Sequence, residues 1–173
     1  MSDKKLKYFY LPISLVFILC LSRLIPHPWN FTPILATGIF SGFYFKKFYL
    51  SSLIVLLPMF LGDLYLGFHN TMFFTYISLF AAVILGLVIK RFGFSEILFT
   101  GIISSVCFFL ITNFGAWLTL SMYEKNLAGL IESYTLAIPF FHKTLVSTII
   151  YLFLMKIILI LFNKKNIIAE VNK

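Results

Sequence analysis

Charge is scarce in this 173-residue chain: Asp, Glu, Lys and Arg make up 12% of it, and only 6 of those residues are acidic against 14 basic. Soluble globular domains carry about 25% charged and about 45–50% apolar residues. A chain that is 61% hydrophobic, with 22 Phe and 9 Tyr, falls outside that class and reads as an all-α integral membrane protein. Cysteine is nearly absent, and Cys20 and Cys107 both lie inside apolar runs, which excludes a disulfide framework or a cysteine zinc site. The three histidines form no His-Glu-x-x-His pattern, no Ser or Cys stands beside a base, and no membrane-embedded carboxylate pair with a positioned acid is evident. These absences argue against an enzyme and imply neither cofactor nor metal. The net charge of +8 suggests a polyanion at first, but its basic residues are distributed between apolar runs, which leaves no basic domain for nucleic acid.

What is abundant is apolar sequence in long runs. A hydrocarbon core about 30 Å thick takes roughly 20 apolar residues per helix. Hydropathy, punctuated by charge, Pro and Gly, predicts six spans in a single domain over 1–173: Tyr8 to Ile25, Pro33 to Phe45, Phe48 to Phe68, Thr71 to Ile89, Ile97 to Ser121 and Thr135 to Phe162. The second span is short for a crossing and is expected to be a short helix surrounded by protein. Lys4, Lys5 and Lys7 give the first run the look of a signal peptide. However, Leu19 before Cys20 and Leu21 before Ser22 do not fit a cleavage site, so a retained helix is expected.

Positive charge orients these spans. With the N-terminus in the cytoplasm, the inner side receives Lys4, Lys5, Lys7, Lys46, Lys47, Lys90, Arg91, Lys156, Lys164, Lys165 and Lys173, and the outer side receives Arg23, Lys125 and Lys143. Basic residues concentrate on the cytoplasmic side of membrane proteins, so this asymmetry predicts both termini in the cytoplasm.

The same topology gathers His27, His69, His142, Trp29 and Trp117 on the outer half, with Arg23, Asn30, Asp63, Asn113, Tyr123, Glu124, Glu132 and Tyr134. Polar groups at membrane depth are costly to desolvate, so Arg23, Asp63 and Asn113 are expected to face the bundle interior or a wet cavity, or to pair with one another. Interfacial aromatics, a snorkelling Arg23 and a purely structural Arg23–Asp63 pair are the plain alternatives. Glu132 and Lys143 read as solvated loop charges. Glu124 and Lys125 are expected in the longest outer loop, a candidate lid. Gly38-x-x-x-Gly42, Ala82-x-x-x-Gly86 and Gly101-x-x-x-Ser105 mark close helix contacts, with packing inside the chain favoured over a partner surface. Pro58 and Pro139 are expected to kink or break their spans.

The run Ser22-Arg23-Leu24-Ile25-Pro26-His27-Pro28-Trp29-Asn30-Phe31-Thr32-Pro33 resembles the N-terminal signature of an uncharacterised bacterial membrane family of the transport type. Gly62-Asp63, Thr112-Asn113-Phe114-Gly115-Ala116-Trp117, Gly129-Leu130, Tyr134 and Ala137-Ile138-Pro139-Phe140-Phe141 extend that resemblance along the chain. The family is similar to the substrate-binding S components of energy-coupling factor transporters. The resemblance implies a six-helix S-component-like bundle in the bacterial inner membrane that takes up a vitamin-like small molecule or its precursor from outside, with a coupling protein and ATPases as partners. The first span lacks the small-x-x-x-small face by which S components dock on a coupling protein. Arg23, His27, Trp29, Asn30, Asp63, Asn113, Trp117 and Tyr134 are the expected substrate-binding residues. Of these, Trp29, Trp117 and Tyr134 are expected to stack on a ring and the polar members to supply hydrogen bonds and charge. The alternative is a structural membrane subunit of the rod-shape-determining type that binds protein partners without transport, for which Gly38 and Gly42 would matter more than Asp63.

Overall fold

Backbone amides and carbonyls have no water to bond to in a lipid core, so apolar runs of this length close their hydrogen bonds internally as helices. Among the described residues six helices form: α1 (Leu11–Leu24), α2 (Ile34–Phe45), α3 (Phe48–Leu66), α4 (Met72–Val88), α5 (Phe94–Thr119) and α6 (Leu127–Val171). The computed structural model describes residues 10–25 and 30–171, with side chains to 161, and there is no strand among the described residues. Among the described residues three segments are long and apolar enough to cross a membrane: α3, α5 and Leu127–Leu161 of α6. α1, α2 and α4 are apolar but shorter. Short connections make successive helices antiparallel, so the C-terminal ends of α1, α3 and α5 meet the N-terminal ends of α2, α4 and α6 at one end of the bundle. Arg23 marks that end and Lys46 the other.

The short second helix is the centre of the bundle. α2 touches α3, α4, α5 and α6, and its residues from Leu35 to Gly42 are buried, as is Phe45. Its 12 residues rise about 18 Å, well under a bilayer core, and protein rather than lipid covers them. Small residues permit this. A Cβ added to Gly42 would sit 2.3 Å from the Val83 carbonyl oxygen, and one on Gly86 would sit 2.0 Å from that of Ile39. The Gly38/Gly42 face is therefore filled by the Ala82/Gly86 face of α4, the intramolecular contact expected of such patterns.

At the opposite end Lys46 follows α2 in a left-handed conformation (φ 53°) and turns its ammonium onto the end of α4. Nζ donates to the carbonyl oxygens of Leu87 at 2.9 Å and Ile89 at 2.5 Å. A cation there satisfies carbonyls that have no helical partner and complements the helix dipole. Burial lowers the Lys46 pKa from its ordinary value.

Polarity runs inward. Thr37, Ser41, Ser51, Thr100, Ser105 and Thr148 are buried, whereas Phe17, Tyr49, Phe99 and Ile158 face outward. Buried hydroxyls bond carbonyls four residues back, as Thr37 does to Pro33 and Thr148 to Thr144. An apolar exterior over a hydroxyl-lined interior suits a lipid surround.

Three expectations are corrected. α6 begins at Leu127 rather than Thr135, because the Asn126 side-chain oxygen accepts the Gly129 N–H at 2.9 Å and caps the helix. Glu132 and Lys143 are therefore exposed helix residues and not loop charges. Pro58 and Pro139 lie inside helices that continue through them, so of the expected kink or break the break does not occur.

Candidate functional site

Asp63 lies near the end of α3 and is 1% exposed. A carboxylate cannot remain there unpaired at acceptable cost. Arg23, in the last turn of α1, supplies the partner: Nη2 donates to Asp63 Oδ1 at 2.6 Å. Tyr76, in α4, donates its phenolic O–H to Asp63 Oδ2 at 2.8 Å. Arg23 Nη1 meets the thioether sulfur of Met59 at 2.8 Å, and Nε is buried without a hydrogen-bond partner. Gly62 makes room for this arrangement, since a Cβ there would lie 2.0 Å from Arg23 Nε. Three helices are thus tied together by one buried carboxylate.

Beside this network an open cavity of about 240 Å³ is lined by Arg23, Asn30, Thr32, Met59, His69, Thr75 and Phe108, and by Thr144, Ser147 and Thr148 of α6. A second cavity of about 90 Å³ shares Asn30, Phe108 and Thr144 with it and adds Thr112 and Asn113. Asn30 holds the rim. Its left-handed backbone (φ 61°), which asparagine tolerates better than most residues, turns its carbonyl toward Ser147, whose hydroxyl oxygen lies 3.5 Å away. His69 Nδ1 lies 2.9 Å from Thr71 Oγ1 at the entrance. Drug-sized sites run to roughly 300–1,000 Å³, so this cavity suits a smaller solute.

Of the eight expected site residues, the structure brings Arg23, Asn30, Asp63 and Asn113 to this region, though in unequal roles. Arg23 and Asn30 line the main cavity, Asp63 sits behind Arg23, and Asn113 borders the smaller cavity while its amide donates to the Phe109 carbonyl at 2.8 Å. His27 and Trp29 lie outside the described residues. Trp117 and Tyr134 line neither cavity. Both fasten α5 to neighbouring chain: Trp117 Nε1 donates to the Glu124 carbonyl at 2.9 Å, and Tyr134 of α6 donates to the Leu110 carbonyl at 2.9 Å while its ring packs on Phe109. The residues of this region that sequence reasoning misses are Tyr76, Met59 and the α6 hydroxyls, while His69, placed on the outer half, is not among the eight expected binding residues. Thr144, Ser147 and Thr148 stand at helical spacing on one face, which is the signal that could have found them.

The stretch expected as a lid is a clasped turn. Lys125 Nζ donates to the carbonyls of Trp117 and, at 2.6 Å, Leu120 at the end of α5. Gly129 allows the turn to close, as a Cβ there would meet the Glu124 carbonyl oxygen at 2.1 Å. Trp117→Phe keeps the ring and removes one bond worth about 1 kcal/mol. Amide hydrogen exchange should then quicken across residues 120–126 while small-solute binding stays unchanged. Unaltered exchange with lost binding would return Trp117 to the ligand site.

Among the described residues no three His, Cys, Asp or Glu side chains cluster as metal ligands would. Residues 3–169, nearly the whole chain, match the model of one protein family, described as a family of unknown function (DUF6580). No curated protein and no solved structure matches the chain.

Proposed function

The chain belongs to that family of unknown function, and from the site itself we propose a membrane uptake protein that captures a small water-soluble micronutrient, a vitamin or precursor, without chemistry on it. The observation that carries this reading is a cavity of about 240 Å³ in which Arg23, His69 and the α6 hydroxyls stand among apolar side chains such as Leu35 and Leu79, at the Arg23 end of a bundle whose exterior is apolar. Polar side chains at membrane depth mark solute pathways more often than structure. The proposal extends to six crossings of a bacterial inner membrane, an S-component-like arrangement, both termini in the cytoplasm and the Arg23 end outside. In a six-span topology the sequence puts 11 of its 14 basic residues on the opposite side, which supports that orientation. A coupling protein with ATPases is the proposed partner. The scaffold alternative draws less support, because the Gly38/Gly42 face it relies on is occupied by α4.

Native mass spectrometry of the detergent-purified protein tests the reading. A reproducible small-molecule adduct is expected, and Thr75→Phe should abolish it by extending a ring into the cavity from a half-buried position while leaving the Arg23–Asp63 pair intact. A spectrum without small molecules but with a co-purifying membrane protein would overturn uptake in favour of scaffolding.

A further inference from the structure

Building on the capture reading, we infer that the captured solute carries an anionic group, a carboxylate in its simplest form, which docks on Arg23, and hydrogen-bond donors that meet the hydroxyls of α6. The cavity conceals its one nearby acid from a ligand. Asp63 is 1% exposed, both its oxygens are engaged by Arg23 and Tyr76, and it does not line the cavity. No acidic side chain lines the cavity among the described residues, whereas Arg23 does.

Arg23 is also incompletely satisfied. Guanidinium has five N–H donors, and among the described contacts one nitrogen meets an oxygen, that of Asp63, while Nη1 meets the Met59 sulfur. A thioether is a weak acceptor, so a carboxylate oxygen arriving through the cavity displaces it at little cost and gains a charge-assisted bond. Such a carboxylate touches the guanidinium directly and lies farther from Asp63, so attraction exceeds repulsion.

The α6 residues of the lining have the complementary character. The hydroxyls of Thr144 and Thr148 donate to the carbonyls of Phe140 and Thr144, and Ser147 donates to Thr144. With their protons directed into the helix, these oxygens offer lone pairs to the cavity, where a ligand N–H or O–H is the fitting partner. The cavity lining therefore offers both cationic donors, from Arg23, and neutral acceptors, from α6.

The test uses the full-length protein in detergent, dialysed to equilibrium against the small-molecule extract of its host cells, with retained compounds identified by mass spectrometry. Carboxylates should be enriched on the wild type. Asp63→Asn, which keeps an acceptor oxygen for Arg23, turns an N–H toward the Tyr76 oxygen and removes the competing charge, should enrich them several-fold further. The double variant Arg23→Gln/Asp63→Asn should lose at least tenfold. If the double variant does not fold, Arg23→Lys keeps the charge and loses the fork, and should weaken carboxylate retention alone. Retention of amines or neutral solutes, indifferent to these changes, would overturn the anion inference and leave capture standing. Retention of nothing by any variant would overturn capture, and the inference with it.

Discussion

Gly86→Val is expected to leave little folded protein in detergent. The reason is geometric. A Cβ at Gly86 falls 2.0 Å from the Ile39 carbonyl oxygen, 2.8 Å from its carbon and 3.0 Å from its Cα, so the obstruction is backbone and no rotamer relieves it. α2 has nowhere to retreat, because α3, α5 and α6 also contact it. Overpacking a core costs about 1–3 kcal/mol where side chains can adjust, and more is expected where they cannot. Gly42→Val should behave alike, since its Cβ meets the Val83 oxygen at 2.3 Å. Gly38→Ala is the control: its nearest neighbour is the Ala82 methyl at 3.1 Å, so most of the protein should survive. Size-exclusion yield and thermal midpoint read the series. A Gly86→Val protein that elutes and melts like the wild type would mean that α2 and α4 are not apposed through these glycines.

That contact also shows how far sequence reasoning reaches. Gly38-x-x-x-Gly42 and Ala82-x-x-x-Gly86 are legible as close-contact faces, and the shortness of the second run predicts a helix walled by protein. Their pairing with each other is not legible, because small-x-x-x-small patterns carry no label naming their partner. The start of α6 escapes hydropathy for a different reason. Hydropathy passes over Leu127 to Tyr134, which includes Glu132 and Ser133, whereas Asn126 with Gly129 three residues on is a capping signal independent of hydropathy.

In the site, Arg23 and Asp63 are conspicuous because charge at membrane depth demands a partner. Tyr76 is not, since a tyrosine near a helix end is ordinarily an interfacial residue. Trp117 and Tyr134 show the converse. Their residue types suit ring stacking on a ligand and hydrogen bonding to a carbonyl equally well, and only the rotation of α5 and α6 decides between them. That rotation directs both to neighbouring backbone. Thr144, Ser147 and Thr148 are hidden inside an apolar run, where a hydroxyl bonded to its own helix scarcely alters hydropathy.

The second large effect belongs to the buried ion pair, and its size depends on how the pair is broken. Asp63→Ala should destabilise strongly. It strands the Arg23 guanidinium beside Gly62 and leaves the Tyr76 hydroxyl without an acceptor; breaking a buried pair from one side costs about 3–5 kcal/mol. Arg23→Ala strands the less exposed partner, but Tyr76 still donates to Asp63, and the 20% exposure of Arg23 gives water some access, so a loss toward the lower end is expected. Tyr76→Phe removes one hydrogen bond to a charged group, about 1.5–3 kcal/mol. Replacing both charges, as in Arg23→Met/Asp63→Leu, should recover much of what Asp63→Ala loses, because the desolvation of two ions disappears together with their attraction. A double-mutant cycle on thermal midpoints measures the coupling. Additive losses would mean that the two side chains do not pair. Recovery of stability in the double variant without recovery of carboxylate retention would separate the two tasks of Arg23, holding α1 to α3 through Asp63 and presenting a cation to the cavity.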